Sequence, residues 1–219
     1  MNMTQTTASH RPRLRRNGDD RAVEFNVSST PQFLRGTIPA GLAGAQNYSF
    51  SMRIRARGDL TVSSVAATLF GVTTTAAGSS TGGVGFTLSS PNGGDVVFRT
   101  GAAPSANWAS GTSVISDGAW HFLTGTASTG DRSRLYHNGA QVAETTEASS
   151  AFASSFSDLF FALGAADNGT RFVPMEASDL QIWDTTLTPT QVTELAMSRF
   201  PRDGLPAGLI WYVPLVVPQ

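Results

Sequence analysis

The hydrophobic residues of this chain fall in short alternating bursts rather than in helical stripes. Val23, Phe25 and Val27 alternate with Glu24 and Asn26. Tyr48, Phe50 and Met52 alternate with Ser49, Ser51 and Arg53, and the pattern runs on through Ile54 and Ala56. Val84, Phe86 and Leu88 repeat it ahead of a turn-forming Ser90-Pro91-Asn92-Gly93-Gly94, and Val96, Val97 and Phe98 follow. A period of two puts every second side chain on one face, so each burst predicts a half-buried β-strand. Further strands are expected within 62–72, at Trp120, Phe122 and Thr124, and at 159–163 and 180–183. Between two more runs, 133–137 and 140–143, stands Asn138-Gly139. That pair predicts a hairpin, because both central residues of a type I′ turn need positive φ.

One helix is expected. Thr188 offers a capping hydroxyl, Pro189 the first helical residue and Gln191 the third, which closes a capping box. Val192, Leu195 and Ala196 line one face, and Pro201 stops the helix. Many short strands, frequent turns and a single helix define the fold class as all-β: a two-sheet antiparallel sandwich of the jelly-roll kind with one short C-terminal helix.

The polar segment 1–18 reads as a basic N-terminal arm, either a flexible tail or a segment that orders against a partner. Residues 19–200 form the sandwich, and 201–219 an apolar C-terminal tail. The tail residues Leu209, Ile210, Trp211 and Tyr212 are too apolar to leave in water, so they dock on their own sandwich or on a neighbouring subunit. The run 73–83, rich in Thr, Ala, Gly and Ser, is expected as an exposed loop.

Charge narrows the partners. The net charge of −1 argues against nucleic-acid binding through the whole surface. Every basic residue is Arg, and Arg11, Arg13, Arg15, Arg16 and Arg21 crowd the N-terminal end. The absence of Cys excludes disulfides, thiolate metal sites and a Cys nucleophile. No apolar run follows the first charges and none is long enough to span a bilayer, so neither a secretory signal nor a membrane partner is expected.

Three segments resemble one family. Asp117-Gly118-Ala119-Trp120-His121-Phe122 is similar to the DGxWHHV strand of laminin G-like, concanavalin A-like jelly rolls. Ser133-Arg134-Leu135-Tyr136-His137-Asn138-Gly139-Ala140-Gln141-Val142 resembles their xLYVNGxxV hairpin. Ser178-Asp179-Leu180-Gln181-Ile182-Trp183-Asp184-Thr185-Thr186-Leu187-Thr188 looks like DEVRIYNRALS, which precedes the family's short helix. Order and spacing agree over roughly 20–200. The Tyr212-Val213-Pro214-Leu215 ending after such a domain also resembles small structural proteins of tailed phages.

The resemblance implies an inter-sheet sandwich and a Ca²⁺ on its rim held by oxygen ligands. The ligand positions do not carry over. The first Asp of the third motif falls on Ser178, with Asp179 next to it, and the acidic positions of the family's opening F-D-G…D-Y-V strand, which 22–34 loosely resembles, fall near Asn26 and Gln32. No cofactor is therefore expected, although Asp167-Asn168-Gly169-Thr170-Arg171 could still form an oxygen-rich rim pocket. Trp120 is expected in the inter-sheet core rather than as a ligand platform, with His121 pointing the other way into solvent.

Related jelly-roll glycosidases carry carboxylates two residues apart on one strand. The nearest grouping here, Glu176 and Asp179, has the wrong parity to share a face, and no Gly-x-Ser-x-Gly elbow places a nucleophile. Metal-ligand spacing is lacking among the three His residues, 10, 121 and 137. The chain is therefore not expected to be an enzyme.

Two functions follow. The first is a structural or assembly protein of a virion surface, a decoration or head–tail component. It would be oligomeric and bind protein subunits through Arg11, Arg13, Arg15, Arg16, Leu209, Ile210, Trp211 and Tyr212. The second is a carbohydrate-binding lectin module. It would use Asn107 and Trp108 in a polar loop beside Asp167, Asn168 and Arg171, unless Trp108 merely covers a loop over the core.

Overall fold

The computed structural model describes residues 13–17, 20–25, 34–37, 40–56, 67–73, 84–88, 95–100, 107–115, 118–149, 151–152, 160–163, 175–198 and 205–213. Its strands are β1 (Arg13–Asn17), β2 (Asp20–Phe25), β3 (Leu34–Thr37), β4 (Asn47–Ala56), β5 (Ala67–Thr73), β6 (Val84–Leu88) and β7 (Asp95–Thr100). They continue as β8 (Asn107–Val114), β9 (His121–Ser128), β10 (Arg132–His137), β11 (Ala140–Ala148), β12 (Phe160–Leu163), β13 (Met175–Trp183) and β14 (Leu209–Val213). The helix α1 spans Pro189–Met197, and a single 3-10 turn covers Ala40–Leu42. For β1, β2, β3 and β12, and for β8 apart from Ala109, the backbone course and register are described.

The strands form two antiparallel sheets. An eight-stranded sheet runs β1-β2-β13-β4-β9-β10-β11, with β14 also on β13, and a six-stranded sheet runs β3-β12-β5-β6-β7-β8. This is the expected jelly-roll sandwich. The alternation of β4 sends Tyr48, Phe50, Met52 and Ile54 between the sheets, where they meet Phe70, Phe86, Phe98, Leu123, Leu135 and Ile182. Phe50 contacts Phe70 and Phe98 at ring separations of 5.7 and 6.4 Å. Burying each such side chain contributes about 1.5–3 kcal/mol, so this layer is the main store of stability. Gly125 of β9 lies under the Phe98 ring, where an added Cβ would come within 2.3 Å of Cδ2 and Cε2.

A second apolar cluster covers part of the outer face of the eight-stranded sheet. Phe122, Tyr136 and Trp183 point outward and take Leu187, Val192 and Leu195 from α1 and its entry. The cap of that helix forms as expected: Gln191 N donates to Thr188 Oγ1 at 3.3 Å and Thr188 N to Gln191 Oε1 at 2.8 Å. The Asn138-Gly139 hairpin also forms, with φ of 51° and 87° at the two residues. Among the described residues no helix is long and apolar enough to cross a membrane.

Four expectations are corrected. First, the apolar tail is part of the sandwich: β14 pairs antiparallel with β13, Leu180 opposite Val213 and Ile182 opposite Trp211. Trp211 and Val213 are buried in the inter-sheet core, while Ile210 packs against that core and Leu209 against the outer cluster. These side chains are used internally rather than left for a neighbouring subunit. Second, the stretch read as an arm contributes β1, which pairs antiparallel with β2, Asn17 standing opposite Asp20. Third, Asn107 and Trp108 begin strand β8 rather than lying in a loop. Fourth, Trp120 lies outside both apolar clusters. Leu123 and Ala127 of β9 face the core, so the even positions face out. His121 shares the parity of Leu123 and is buried, not solvated.

Candidate functional site

The outer face of the eight-stranded sheet carries charged pairs that parity alone would separate. Arg53 and Arg55 are two residues apart on β4 and therefore share a face. On β13, Ala177 stands opposite Ile54 and Ser178 opposite Arg53, but Gln181 stands opposite Ser51. One extra residue is inserted, and Asp179 takes a φ of 50° within this bulge. Asp is among the few non-glycine residues that accept that conformation. The insertion resets the alternation, so that Asp179 and Glu176 both meet arginines of the same face. The expectation that these two carboxylates cannot share a face is therefore overturned, because it assumed an uninterrupted strand.

Arg55 Nε donates to Glu176 Oε2 at 2.6 Å, and its Nη2 also reaches that oxygen. Arg53 Nε lies 3.6 Å from Asp179 Oδ2, while its Nη2 donates to the carbonyl oxygens of Ala196 and Ser198 at the end of α1. The Tyr212 hydroxyl of β14 donates to Asp179 Oδ1 at 2.9 Å, and Ser178 Oγ to Oδ2 at 3.2 Å. Burial pushes the Asp179 carboxyl above its ordinary value, opposed by the bonds from Tyr212 and Ser178 and by the charge of Arg53. Both carboxylates are thus bound to cations of the chain itself.

Two tryptophans stand beside arginines on opposite sheets. The Arg55 guanidinium lies 4.9 Å from the Trp120 ring centroid on the eight-stranded sheet. On the six-stranded sheet, Trp108 of β8 is the cross-strand partner of Arg99 of β7. Arg99 in turn faces Gly85, which faces Gly71. At the end of the sandwich near the Asn138-Gly139 turn, His121 Nδ1 and His137 Nε2 are 2.7 Å apart, with ring centroids at 4.9 Å. The alternation that buries Leu123 and Leu135 places both histidines on the inner face.

The structure brings only part of the expected sites together. Asn107 and Trp108 adjoin on β8. Asp167, Asn168 and Arg171, their expected companions, lie outside the described residues, as does Arg11. Arg13, Arg15 and Arg16 lie on β1, at one end of the eight-stranded sheet. Arg55, Glu176 and the bulged Asp179 were not singled out together by sequence reasoning. The signal was in the hydrophobic pattern: the apolar positions shift phase from Met175 and Ala177 to Leu180 and Ile182, as one inserted residue between them requires.

The calcium implied by the family resemblance does not fit the residues around Asp179. Its neighbours are two hydroxyl donors and a guanidinium, whereas Ca²⁺ takes six to eight oxygen acceptors. Among the described residues no group of three or more His, Asp or Glu side chains converges as a metal site.

Solved structures share the fold at low identity. A SAP-like pentraxin from Limulus polyphemus, crystallised as a native heptamer, aligns at 18% identity and a TM-score of 0.62, over 88% of this chain and 90% of its own. Domain 4 of an extracellular arabinanase from Geobacillus stearothermophilus, solved with arabinotriose, aligns at 20% identity and a TM-score of 0.62, over 90% and 87%. A putative carbohydrate-binding protein from Bacteroides ovatus aligns at 15% identity and a TM-score of 0.63 over 88% of this chain, which spans 50% of that protein. No curated protein matches the chain in sequence. The family model described as the concanavalin A-like lectin/glucanases superfamily matches residues 17–193, and the chain belongs to that superfamily.

Proposed function

We propose that this chain is a non-catalytic carbohydrate-recognition module, carried on the surface of a virion. The observation that carries the carbohydrate reading is the start of β8, the last strand of the six-stranded sheet, where Asn107 and Trp108 adjoin and Trp108 stands opposite Arg99. An indole offers a flat apolar surface to a sugar ring, and amide and guanidinium groups bind its hydroxyls. Two neighbours of the same fold support the class: the arabinanase domain solved with arabinotriose and the putative carbohydrate-binding protein. Glu176 and Asp179, the paired carboxylates of the outer face, are engaged by Arg55 and Arg53, which suits a structural role better than acid–base work. A glycan array with the full chain and with Trp108→Ala tests the reading. Binding by the first and its loss in the folded second supports the β8 site, and an array with no binding refutes it.

Attachment to a larger assembly is a second reading, favoured by β1. Three of the five residues of this terminal strand are arginines, Arg13, Arg15 and Arg16, suited to an acidic neighbouring subunit. Removing residues 1–17 should abolish incorporation into particles while leaving glycan binding in place. Unchanged incorporation refutes this reading.

A further inference from the structure

Sequence left Trp120 two roles, core filler or ligand platform, and its position outside both apolar clusters removes the first. The residue is half-buried, and the Gly118-Ala119 segment leading to it is exposed. One face of the indole is stacked with Arg55. That guanidinium is fixed from behind by Glu176, a carboxylate whose side chain is only 4% exposed, while the Arg55 side chain keeps 21% of its surface in solvent. Of the five N–H groups of a guanidinium, those on Nε and one on Nη2 face Glu176, and the outer fork meets no other acceptor among the described residues. The arrangement is an aromatic platform beside a pre-oriented donor, with its counter-charge built in below.

We propose that Trp120, Arg55 and Glu176 form a second carbohydrate site, on the opposite sheet from Trp108, and that it takes neutral sugar rings. The ligand class follows from the charge of this patch. Arg55 is paired with Glu176 and its neighbour Arg53 with Asp179, so two cations and two anions balance. A patch of zero net charge gives an acidic sugar no field to favour it, whereas hydroxyl oxygens still accept from the outer fork of Arg55. The apolar face of a sugar ring stacks on the indole face that Arg55 does not cover, with its hydroxyls reaching past the ring edge toward the guanidinium. This inference shares the carbohydrate reading above but not its site.

Indole ¹⁵N–¹H NMR of the full chain tests it. The chain has four Trp residues, and Trp108→Phe and Trp120→Phe assign the two resonances of interest. The probes are xylotriose, cellotriose, mannotriose and arabinotriose, with trigalacturonic acid as the charged comparison. A saturable shift of the Trp120 resonance with a neutral trisaccharide is expected, persisting in Trp108→Ala. Arg55→Met should raise the dissociation constant read at Trp120 by about tenfold, the loss of a charged hydrogen bond, while the Trp183 and Trp211 resonances report an intact fold. Movement of Trp108 alone overturns the second site and leaves the first standing. Movement of neither overturns both, and tighter binding of trigalacturonic acid at Trp120 overturns the neutral class.

Discussion

Replacing Tyr212 by Phe removes one oxygen from β14 and tests whether that strand is held by the bulge of β13. The ring stays and the bond to Asp179 Oδ1, 2.9 Å long, is lost. A hydrogen bond to a charged group contributes about 1.5–3 kcal/mol, and the lower end applies because Tyr212 is only half-buried. For a protein of 150–250 residues each kcal/mol shifts the melting temperature by about 2–4 °C, so Tyr212→Phe should melt about 3–6 °C lower at pH 7.

The pH dependence carries a second, sharper expectation. Burial raises the Asp179 carboxyl, so the folded chain holds that proton more tightly than the unfolded one. Its contribution to stability is fully present below the unfolded value of about 3.9 and is lost as pH rises through the folded value. Tyr212 limits that loss, because its hydroxyl favours the carboxylate. The gap between wild type and Tyr212→Phe should therefore be narrow near pH 3.5 and widen toward pH 7. In an Asp179→Asn background the gap should become flat with pH, and Asn tolerates the bulge conformation as Asp does. Thermal unfolding followed by circular dichroism reads both quantities. Equal melting at pH 7, or a gap as wide in acid as at neutrality, would refute the anchoring of β14 through this carboxylate.

Gly125→Ala should destabilise by about 1–3 kcal/mol or more, since its Cβ would enter the Phe98 ring, and adding Phe98→Leu should recover part of that loss in urea unfolding. Thr124→Val should leave stability unchanged or raise it by up to about 1 kcal/mol, because the buried Thr124 hydroxyl has no hydrogen-bond partner among the described residues. Ser51→Ala should lower stability by about 1 kcal/mol in the same assay, because Ser51 Oγ donates to Gln181 Oε1 at 2.9 Å in a buried setting. Trp211→Ala should cost about 3–5 kcal/mol and lower the unfolding midpoint, as expected for a core residue and not for one waiting on a partner.

Legibility in the sequence tracked how local the deciding physics was. The strand β4, the Asn138-Gly139 hairpin and the capped helix were readable because a period of two, a positive-φ pair and a capping box are each settled within a few residues. What failed depended on events elsewhere in the chain. β8 (NWASGTSV) has no hydrophobic alternation and becomes a strand because β7 pairs with it. Trp120 looked like a core residue because aromatic size usually decides burial, yet here the parity fixed by Leu123 and Ala127 decides it. Whether β14 docks on its own sandwich or on a neighbour stayed open in the sequence because its partner edge exists only once β2 ends: β13 gives Met175, Glu176 and Ala177 to β2, then Leu180, Gln181, Ile182 and Trp183 to β14. The bulge falls between those two sets of partners, at Asp179. One inserted residue therefore turns the strand from one neighbour to the next, brings its carboxylate onto the face of Arg53, and gives Tyr212 of the arriving strand an acceptor. The same event, written in the sequence only as the phase shift from Met175 and Ala177 to Leu180 and Ile182, explains why the tail belongs to the fold, and it leaves Trp108 and Trp120 rather than the C-terminal strand as binding residues.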